Sequence, residues 1–561
     1  TAWKHKNPVV FLTSGWYNNG NFIIPTEDNP RDFRGNAAAY VFRGSAEEAN
    51  EGTHHSRVET DRQKEGYPTE LWRERQNQQV RTDERILPEV CRRLRGYNQL
   101  VKGQRDRWKA SVSLSFLISA ATAGRGAPCP PAAEGHSRKG ENVMRMMLVG
   151  AGAVGECILK VLKERGAKGR WLSYVLIADY DGKRAEEVQR HLEAERSGIV
   201  FASACVDAHD RKELVRLMQE HRIDFVMDAA SPFVSNCIFD AAYEAGADYA
   251  SMGTWSVPKE HPAFGTGFEG SYLEPMTKYN FDRHEAWKEK GQMACICLGI
   301  DPGVVNVFAK YAAEYLFDEL YEVHIKDGGN LTPPESEKND ILFGFNPWTV
   351  LDEVMNPNAE WDREKGFLIE DAFAGEEEFR MPEPFGMNRL VKVEHEEVVT
   401  LPRYLGQYGL RKASFKIALD ENLLNALKVI DRLGLRSLRP VEVDGVRVIP
   451  RDVVAACAPK PQDIGADMTG GMCVGAHCIG VKDGKRREYF IYQPFDNEDA
   501  LQKFGMQAVV AQTGFGAALG IELIARGIWR DTGVFSPEYF PSRPFMELMK
   551  ETGLAYGIEE R

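Results

Sequence analysis

No stretch of this sequence holds about 18 consecutive apolar residues, the length a membrane-spanning helix needs, so no membrane span and no membrane partner is expected. Paired cysteine motifs are missing too. The ten cysteines are scattered, and the nearest pairs, Cys295 with Cys297 and Cys473 with Cys478, lack the C-x-x-C spacing of a redox or zinc motif. They are expected to be reduced thiols in a cytoplasmic protein. No metal site is expected either: His477 lies between Cys473 and Cys478, but a zinc ion needs three or four ligands and no such set is visible. Positive charge is in deficit, with a formal net charge of −13, which excludes a broad nucleic-acid-binding surface. Internal repeats are absent.

Methionine is absent from the first 143 residues, although the 561-residue chain contains 16. The same stretch is net positive and arginine-rich, whereas the rest is strongly net negative. Apart from short apolar pieces such as residues 9–13 and 86–94, it lacks helical or strand periodicity. Residues 114–123 have the composition of a signal-peptide apolar core, but far inside the chain, where such a signal does not act. Two expectations compete for residues 1–143. One is a poorly ordered extension. The other, which is preferred, is an open frame upstream of a start at Met144 or Met146, with Arg138-Lys139-Gly140-Glu141 encoded by purine-rich codons resembling a ribosome-binding site. No function is assigned to the stretch.

From Met146 the pattern changes. Met146-Met147-Leu148-Val149 suits a buried parallel strand and runs into Gly150-Ala151-Gly152-Ala153-Val154-Gly155. A helical pattern follows, with Val154, Ile158, Leu159 and Leu162 on one face. Gly150 permits the tight turn, Gly152 leaves the backbone open to a pyrophosphate, and Gly155 lets helix and strand pack closely. The helix N-terminus then offers unpaired N–H groups to phosphates. A second strand over residues 174–178 ends at Asp179, followed by Tyr180. An acidic residue there accepts hydrogen bonds from the adenosine ribose, which favours NAD and keeps NADP open, since Lys183 and Arg184 lie close by.

Strand and helix patterns keep alternating. Strands are expected at residues 199–206, 224–228, 248–252 and 295–300, with helices at 212–221 and 235–245. Their ends place Asp207 by the adenine and Ala229, Ala230 and Ser231 by the nicotinamide ribose. Asp301 and Pro302 are expected to open a helix, with Asp301 as its N-cap, beside the nicotinamide. The expected fold class is therefore α/β: a Rossmann domain with a doubly wound parallel sheet over residues 144–300. Beyond it, strands at 320–326, 390–401 and 410–419, hairpins turning at Asp444-Gly445 and Asp483-Gly484, and a helix over 421–433 describe a second, α+β domain over 301–498. Residues 499–561 form a helical, small-residue-rich end.

Several of these pieces resemble the saccharopine dehydrogenase family over about residues 146–550: the Gly150 to Gly155 loop, Ala178-Asp179-Tyr180-Asp181, residues 299–303 through Gly303, residues 327–331, Gln507-Ala508-Val509-Val510-Ala511-Gln512-Thr513 and Gly533-Val534-Phe535-Ser536-Pro537-Glu538. The resemblance implies hydride transfer at a carbon bearing nitrogen and a second domain for substrate binding and homodimerisation. It also implies a C-terminal segment returning to the first domain. A lysine-derived amino-acid substrate heads the expectation. A carboxyspermidine-type polyamine substrate is next, because Asn330-Leu331 stands where saccharopine reductases carry Leu-Pro. A non-catalytic NAD(H) sensor is the alternative from another class. Asp301 and His395, with Glu394 beside it, are the candidates for proton handling. Gly329, Asn330, Phe345, Trp348 and Thr513 are expected around the substrate, and Arg389, Lys392, Arg403 and Lys416 are candidate carboxylate partners.

Overall fold

The computed structural model describes residues 2–3, 9–18, 21–23, 37–44, 143–255, 276–334, 341, 343–458 and 468–561. The expectations for residues 86–94, 114–123 and 138–141 lie outside them. Residues 1–135 form a unit of their own, in which strands Ala2–Trp3, Val9–Asn18, Asn21–Ile23 and Ala37–Gly44 pair antiparallel. Residues 9–13 fall in the second of these strands.

In the other unit, residues 136–561, the first strand is Met144–Val149. It pairs in parallel with Leu172–Asp179 on one side and Phe225–Asp228 on the other. Val200–Cys205 extends one side; Asp248–Ser251, Met293–Cys295 and finally Gly533–Phe535 extend the other, giving a seven-stranded parallel sheet. Strand order reverses beside Met144–Val149, which opens a crevice at the C-terminal strand ends. Alternate side chains serve two cores. Met146 and Leu148 pack with helix Ala153–Gly169, while Met147 and Val149 pack with helices Arg211–Glu220 and Pro232–Ala245.

A nine-stranded mixed sheet forms the second domain. Its centre is Glu319–Gly329, parallel to Lys412–Ala418 and antiparallel to Gly471–Lys482. Both Asp-Gly turns are hairpins. Asp444 and Gly445 have φ of 50° and 80°, and Asp483 and Gly484 of 50° and 69°, the left-handed pair that a two-residue hairpin loop requires.

Four expectations are corrected. The strand proposed for residues 390–401 ends with Met387–Lys392, and Glu397–Leu405 is a helix. Val398, Leu401 and Leu405 form its buried face at helical spacing, which overrides the β-branched run Val398-Val399-Thr400. The strand proposed for 295–300 is shorter, Met293–Cys295. Asp301 is not an N-cap: helix Val304–Tyr311 starts after Gly303, whose N–H donates to Asn306 Oδ1 at 2.8 Å. The C-terminal part is more than helical. Besides Asn497–Phe504 and Ala508–Ala525 it supplies Gly533–Phe535 to the parallel sheet and Gly557–Glu560 to the mixed one.

Ala508–Ala525 is long and apolar enough to cross a membrane by length and composition, yet it is mostly buried inside the protein. A β-carbon at Gly514 would lie 2.7 Å from Cys157 Sγ, and one at Gly516 would lie 2.2 Å from the Gly299 carbonyl oxygen. Its glycines thus let it lie directly on the Rossmann domain.

Candidate active site

The cofactor crevice begins at the glycine loop. Gly150 has φ 101°, and a β-carbon there would lie 2.5 Å from the Ala229 carbonyl oxygen; at Gly155 one would lie 2.1 Å from the Gly150 carbonyl oxygen. At Gly152 a β-carbon meets nothing within 4 Å. Gly152 caps helix Ala153–Gly169 without any side-chain cap, so the first N–H groups, on Ala153, Val154 and Gly155, are left for an anion. These residues fit a dinucleotide pyrophosphate.

Asp179 is buried with its oxygens in use. Oδ2 accepts from the Ala151 N–H at 2.7 Å and Oδ1 from the Asp181 N–H at 2.8 Å, so the carboxylate braces the glycine loop. Arg184 lies over the same loop, donating from Nε to the Ala151 carbonyl at 2.9 Å and pairing with Glu156. Tyr180 is 84% exposed at the end of this strand, and Asp207 is exposed and accepts from His209 Nδ1 at 3.0 Å. Ala229 packs on Gly150, and Ser231 caps helix Pro232–Ala245 without a side-chain bond.

From Ala230 and residues 252–254 and 299–302 the crevice opens into a cavity of about 890 Å³, closed on the far side by the second domain. Its walls are unusually acidic. Asp301, Asp327, Asp352, Glu353, Glu394, Glu396, Asp420 and Asp452 line it, while Arg451 is the one guanidinium among the described residues that do. Arg451 pairs with Asp352 and donates to Asn356 Oδ1 at 3.0 Å. Burial pushes Glu353 and Glu394 up to about 8, although His395 favours the charged form of the first and an Asn356 hydrogen bond (2.7 Å) that of the second. Burial raises Glu396 and Asp352 as well.

His395 lies between strand Met387–Lys392 and helix Glu397–Leu405, stacked on Phe415 with ring centroids 3.7 Å apart. Burial alone would lower its pKa. The carboxylates of Glu397, Glu353 and Glu396 outweigh burial and hold it well above the usual range, an imidazolium paired through Nδ1 with Glu397. The imidazole and the carboxylates of Glu396 and Glu397 lie within 4.8 Å of one another. The His395–Glu397 pair and the Thr254 N–H bond to Glu396 (2.8 Å) account for that clustering.

Of the residues proposed from sequence, Ala230, Asp301, Glu394, His395, Phe345, Trp348 and Thr513 line the cavity. Gly303, Gly329 and Asn330 do not. Gly303 packs on Gly299, where a β-carbon would lie 2.2 Å from the carbonyl oxygen. Gly329 packs likewise on Gly471, and Asn330 Oδ1 accepts from the Gly471 N–H at 2.9 Å. All three hold turns and strands together. The proposed carboxylate partners are also elsewhere: Arg389 pairs with Glu376, Lys392 with Glu360 and Glu370, and Lys416 with Glu377, while Arg403 lies over the Phe281 ring.

Two family models cover most of this unit. Saccharopine dehydrogenase NADP binding domain matches residues 146–295, and saccharopine dehydrogenase C-terminal domain matches residues 299–554. The chain belongs to the saccharopine dehydrogenase family. It is an NAD(P)-binding oxidoreductase by that membership. Similar relatives are the carboxyaminopropylagmatine dehydrogenase of Synechocystis, 27% identical over 73% of this chain and 96% of the relative, and the carboxynorspermidine synthase of Vibrio alginolyticus, 27% identical over 74% and 97%. Saccharopine dehydrogenase (L-Glu forming) from Saccharomyces cerevisiae has the same fold, with a TM-score of 0.52, 14% identity, and coverage of 74% of this chain and 100% of that one.

Asp327, Glu353 and Arg451 were missed from the sequence of this family member, and one of them left a signal. Asp327 continues the inward-facing alternation Val323, Ile325 of its strand. An acid on an apolar face is a buried carboxylate.

Proposed function

We propose that this protein joins a carbonyl compound carrying an amino-acid carboxylate to a primary amine of a di- or polyamine, by NAD(P)H-dependent reduction of the imine between them, or runs the reverse reaction. The observation that carries this reading is the number of carboxyl groups on the cavity wall, eight against one guanidinium and the His395 imidazolium. A polyamine brings several ammonium groups, whose arrival favours the ionised form of those carboxyls. A lysine-derived substrate such as saccharopine brings several carboxylates instead, for which the wall offers few cations. The similarity to proteins named for carboxylated polyamines supports the same reading. The bound nicotinamide supplies or accepts the hydride. The chain's own residues shape the pocket, with its acids facing the substrate's ammonium groups.

The test follows NAD(P)H absorbance with the full chain. A short ω-oxo amino acid is paired with 1,3-diaminopropane, putrescine or agmatine and compared with saccharopine, lysine, and allysine plus glutamate. Turnover of a carbonyl–diamine pair is expected. Turnover of saccharopine alone removes the reading.

The reading includes a homodimer. Strand Gly366–Glu370 is an outer edge of the mixed sheet, with Phe367, Leu368 and Ile369 exposed at 37%, 37% and 52%. Antiparallel pairing with a second copy about Leu368 sets Phe367 opposite Ile369 and Lys365 opposite Asp371, both complementary.

A further inference from the structure

One pair of cavity carboxyls is held together across the two domains. Asp301 comes from the turn after the sixth strand of the parallel sheet, and Asp327 from strand Glu319–Gly329 of the mixed sheet. Ala230, Met252, Gly253 and Gly299 surround the Asp301 side, at the ends of the strands where the nicotinamide half of a dinucleotide lies. The two carboxyls are within hydrogen-bonding reach of each other. Two carboxylates sharing a site disfavour each other's ionisation, so the contact favours one proton between them.

Asp327 is 8% exposed, and among the described residues no N–H or O–H donor reaches its Oδ1 or Asp301 Oδ2. The pair, Asp327 buried and Asp301 half-buried, thus has unused hydrogen-bonding capacity that opens on the cavity. The titratable groups facing it are His395, Glu397, Glu353 and, from the neighbouring strand Gly471–Lys482, Cys473. His395 and Glu397 are committed to each other. Burial, and for Asp301 also the charge of Asp327, favours the protonated form of the pair; His395 opposes this.

We propose that Asp301 and Asp327 form a proton-sharing catalytic dyad that takes a proton from the incoming ammonium and returns it to the hydroxyl that leaves as water. The proposal rests on the amine–carbonyl coupling read above. The steps balance. The ammonium gives one proton to the dyad, and its freed lone pair forms the N–C bond as the carbonyl π electrons move to oxygen. A second proton passes from nitrogen to that oxygen, giving a carbinolamine. The dyad returns its proton to the hydroxyl, the C–O bond breaks, and water and an iminium result. Hydride addition at the carbon then gives a neutral secondary amine, which takes its proton from solvent. A single carboxylate surrounded by water would reprotonate from bulk; a shared proton in a buried pair stays available for the return step.

The test compares wild type, D327N and D301N as full chains. Three quantities are read: kcat and its pH profile with NADPH, an ω-oxo amino acid and 1,3-diaminopropane; NADPH affinity by fluorescence; and the protonated-carboxyl band in infrared difference spectra. Either variant is expected to lose roughly 100-fold or more in kcat, the size of a lost general acid–base. NADPH affinity should stay within about twofold, which also reports a folded Rossmann domain. The wild-type limb set by the dyad should vanish, and D327N should lack one infrared band. A D327N enzyme within about threefold of wild type in kcat, with an unchanged pH profile, overturns the dyad while leaving the coupling reaction standing. A wild type that binds NADPH but turns over no carbonyl–amine pair sinks the coupling reaction and the dyad's role with it. The missing band then reports only where the proton sits.

Discussion

Gly152 and Gly155 occupy one loop under different constraints. A side chain at Gly152 projects into open space where a pyrophosphate approaches, and one at Gly155 strikes the Gly150 carbonyl at 2.1 Å. Gly152→Val is therefore expected to cut NADH and NADPH affinity at least tenfold, read by fluorescence titration, with its melting temperature unchanged. Gly155→Ala should lower stability by about 1–3 kcal/mol, the usual cost of overpacking against backbone that cannot move. Equal stability losses in the two variants would contradict the division. These glycines were legible from sequence because backbone geometry restricts the residue type. That Asp301 and His395 line the cavity was legible for a weaker reason, their place in a turn at a strand end and among acids. Gly329 and Asn330 were misread: Asp327 before them and Leu331 after them are the members of that segment that line the cavity. Lys392 and Lys416 were misread because a lysine's sequence neighbours do not reveal the cross-strand carboxylate that claims it.

At the scale of elements, helix Ala508–Ala525 links the cofactor half to the cavity. Thr513 faces the cavity, while Gly514, Gly516 and Gly520 face the Rossmann domain. Gly516→Ala would meet backbone at 2.2 Å, whereas Gly520→Ala would meet the movable end of Leu298 at 2.4 Å. Thermal unfolding should show the larger loss, about 1–3 kcal/mol, for Gly516→Ala. The reverse order would mean that the helix itself shifts to relieve the contact. The elements themselves were largely readable. Alternation of apolar runs and helical stripes located the strands and helices of the parallel sheet to within a few residues, and Asp-Gly pairs located both hairpins, since each signal is local. The helix Glu397–Leu405 was not readable as such. Glu397 and His395 look solvent-facing in sequence, and only the packing of Phe415 and the cavity beneath buries them. The seventh strand of the parallel sheet, Gly533–Phe535, depends on a contact with Met293–Cys295 far away in sequence, which no local pattern encodes.

Across the whole molecule, two outcomes depend on surfaces that several elements build together. The exposed edge Gly366–Glu370 predicts that Ile369→Lys, placed at the strand pairing, lowers the mass seen by light scattering from dimer to monomer without loss of NADPH binding; an unchanged dimer would move the interface elsewhere. The acid-lined cavity predicts an unusual dependence of stability on pH. Burial raises Glu353 and Glu394 to about 8 from the ordinary 4.5 of a glutamate. Folded pKa values above the unfolded ones mean that the folded state binds more protons between those limits. Their contribution is therefore complete below about 4.5 and is lost as pH rises through about 8, at up to roughly 1.4 kcal/mol per pH unit for each group. His395, also raised, acts in the same direction above its own unfolded value. Glu377, lowered to about 2 by Lys326 and Lys416 against its burial, acts only on the acid side, where its contribution is lost as pH falls through about 2. The free protein should accordingly melt at a lower temperature near pH 8 than near pH 6. A diamine, which pairs with the ionised carboxylates, should restore more at the higher pH. Differential scanning fluorimetry with and without 1,3-diaminopropane reads both effects. A melting temperature that rises across this window, or a diamine effect that is greater at the lower pH, would show that the carboxyls are already ionised and paired in the free protein. The cavity would then present no unmet negative charge to a polyamine.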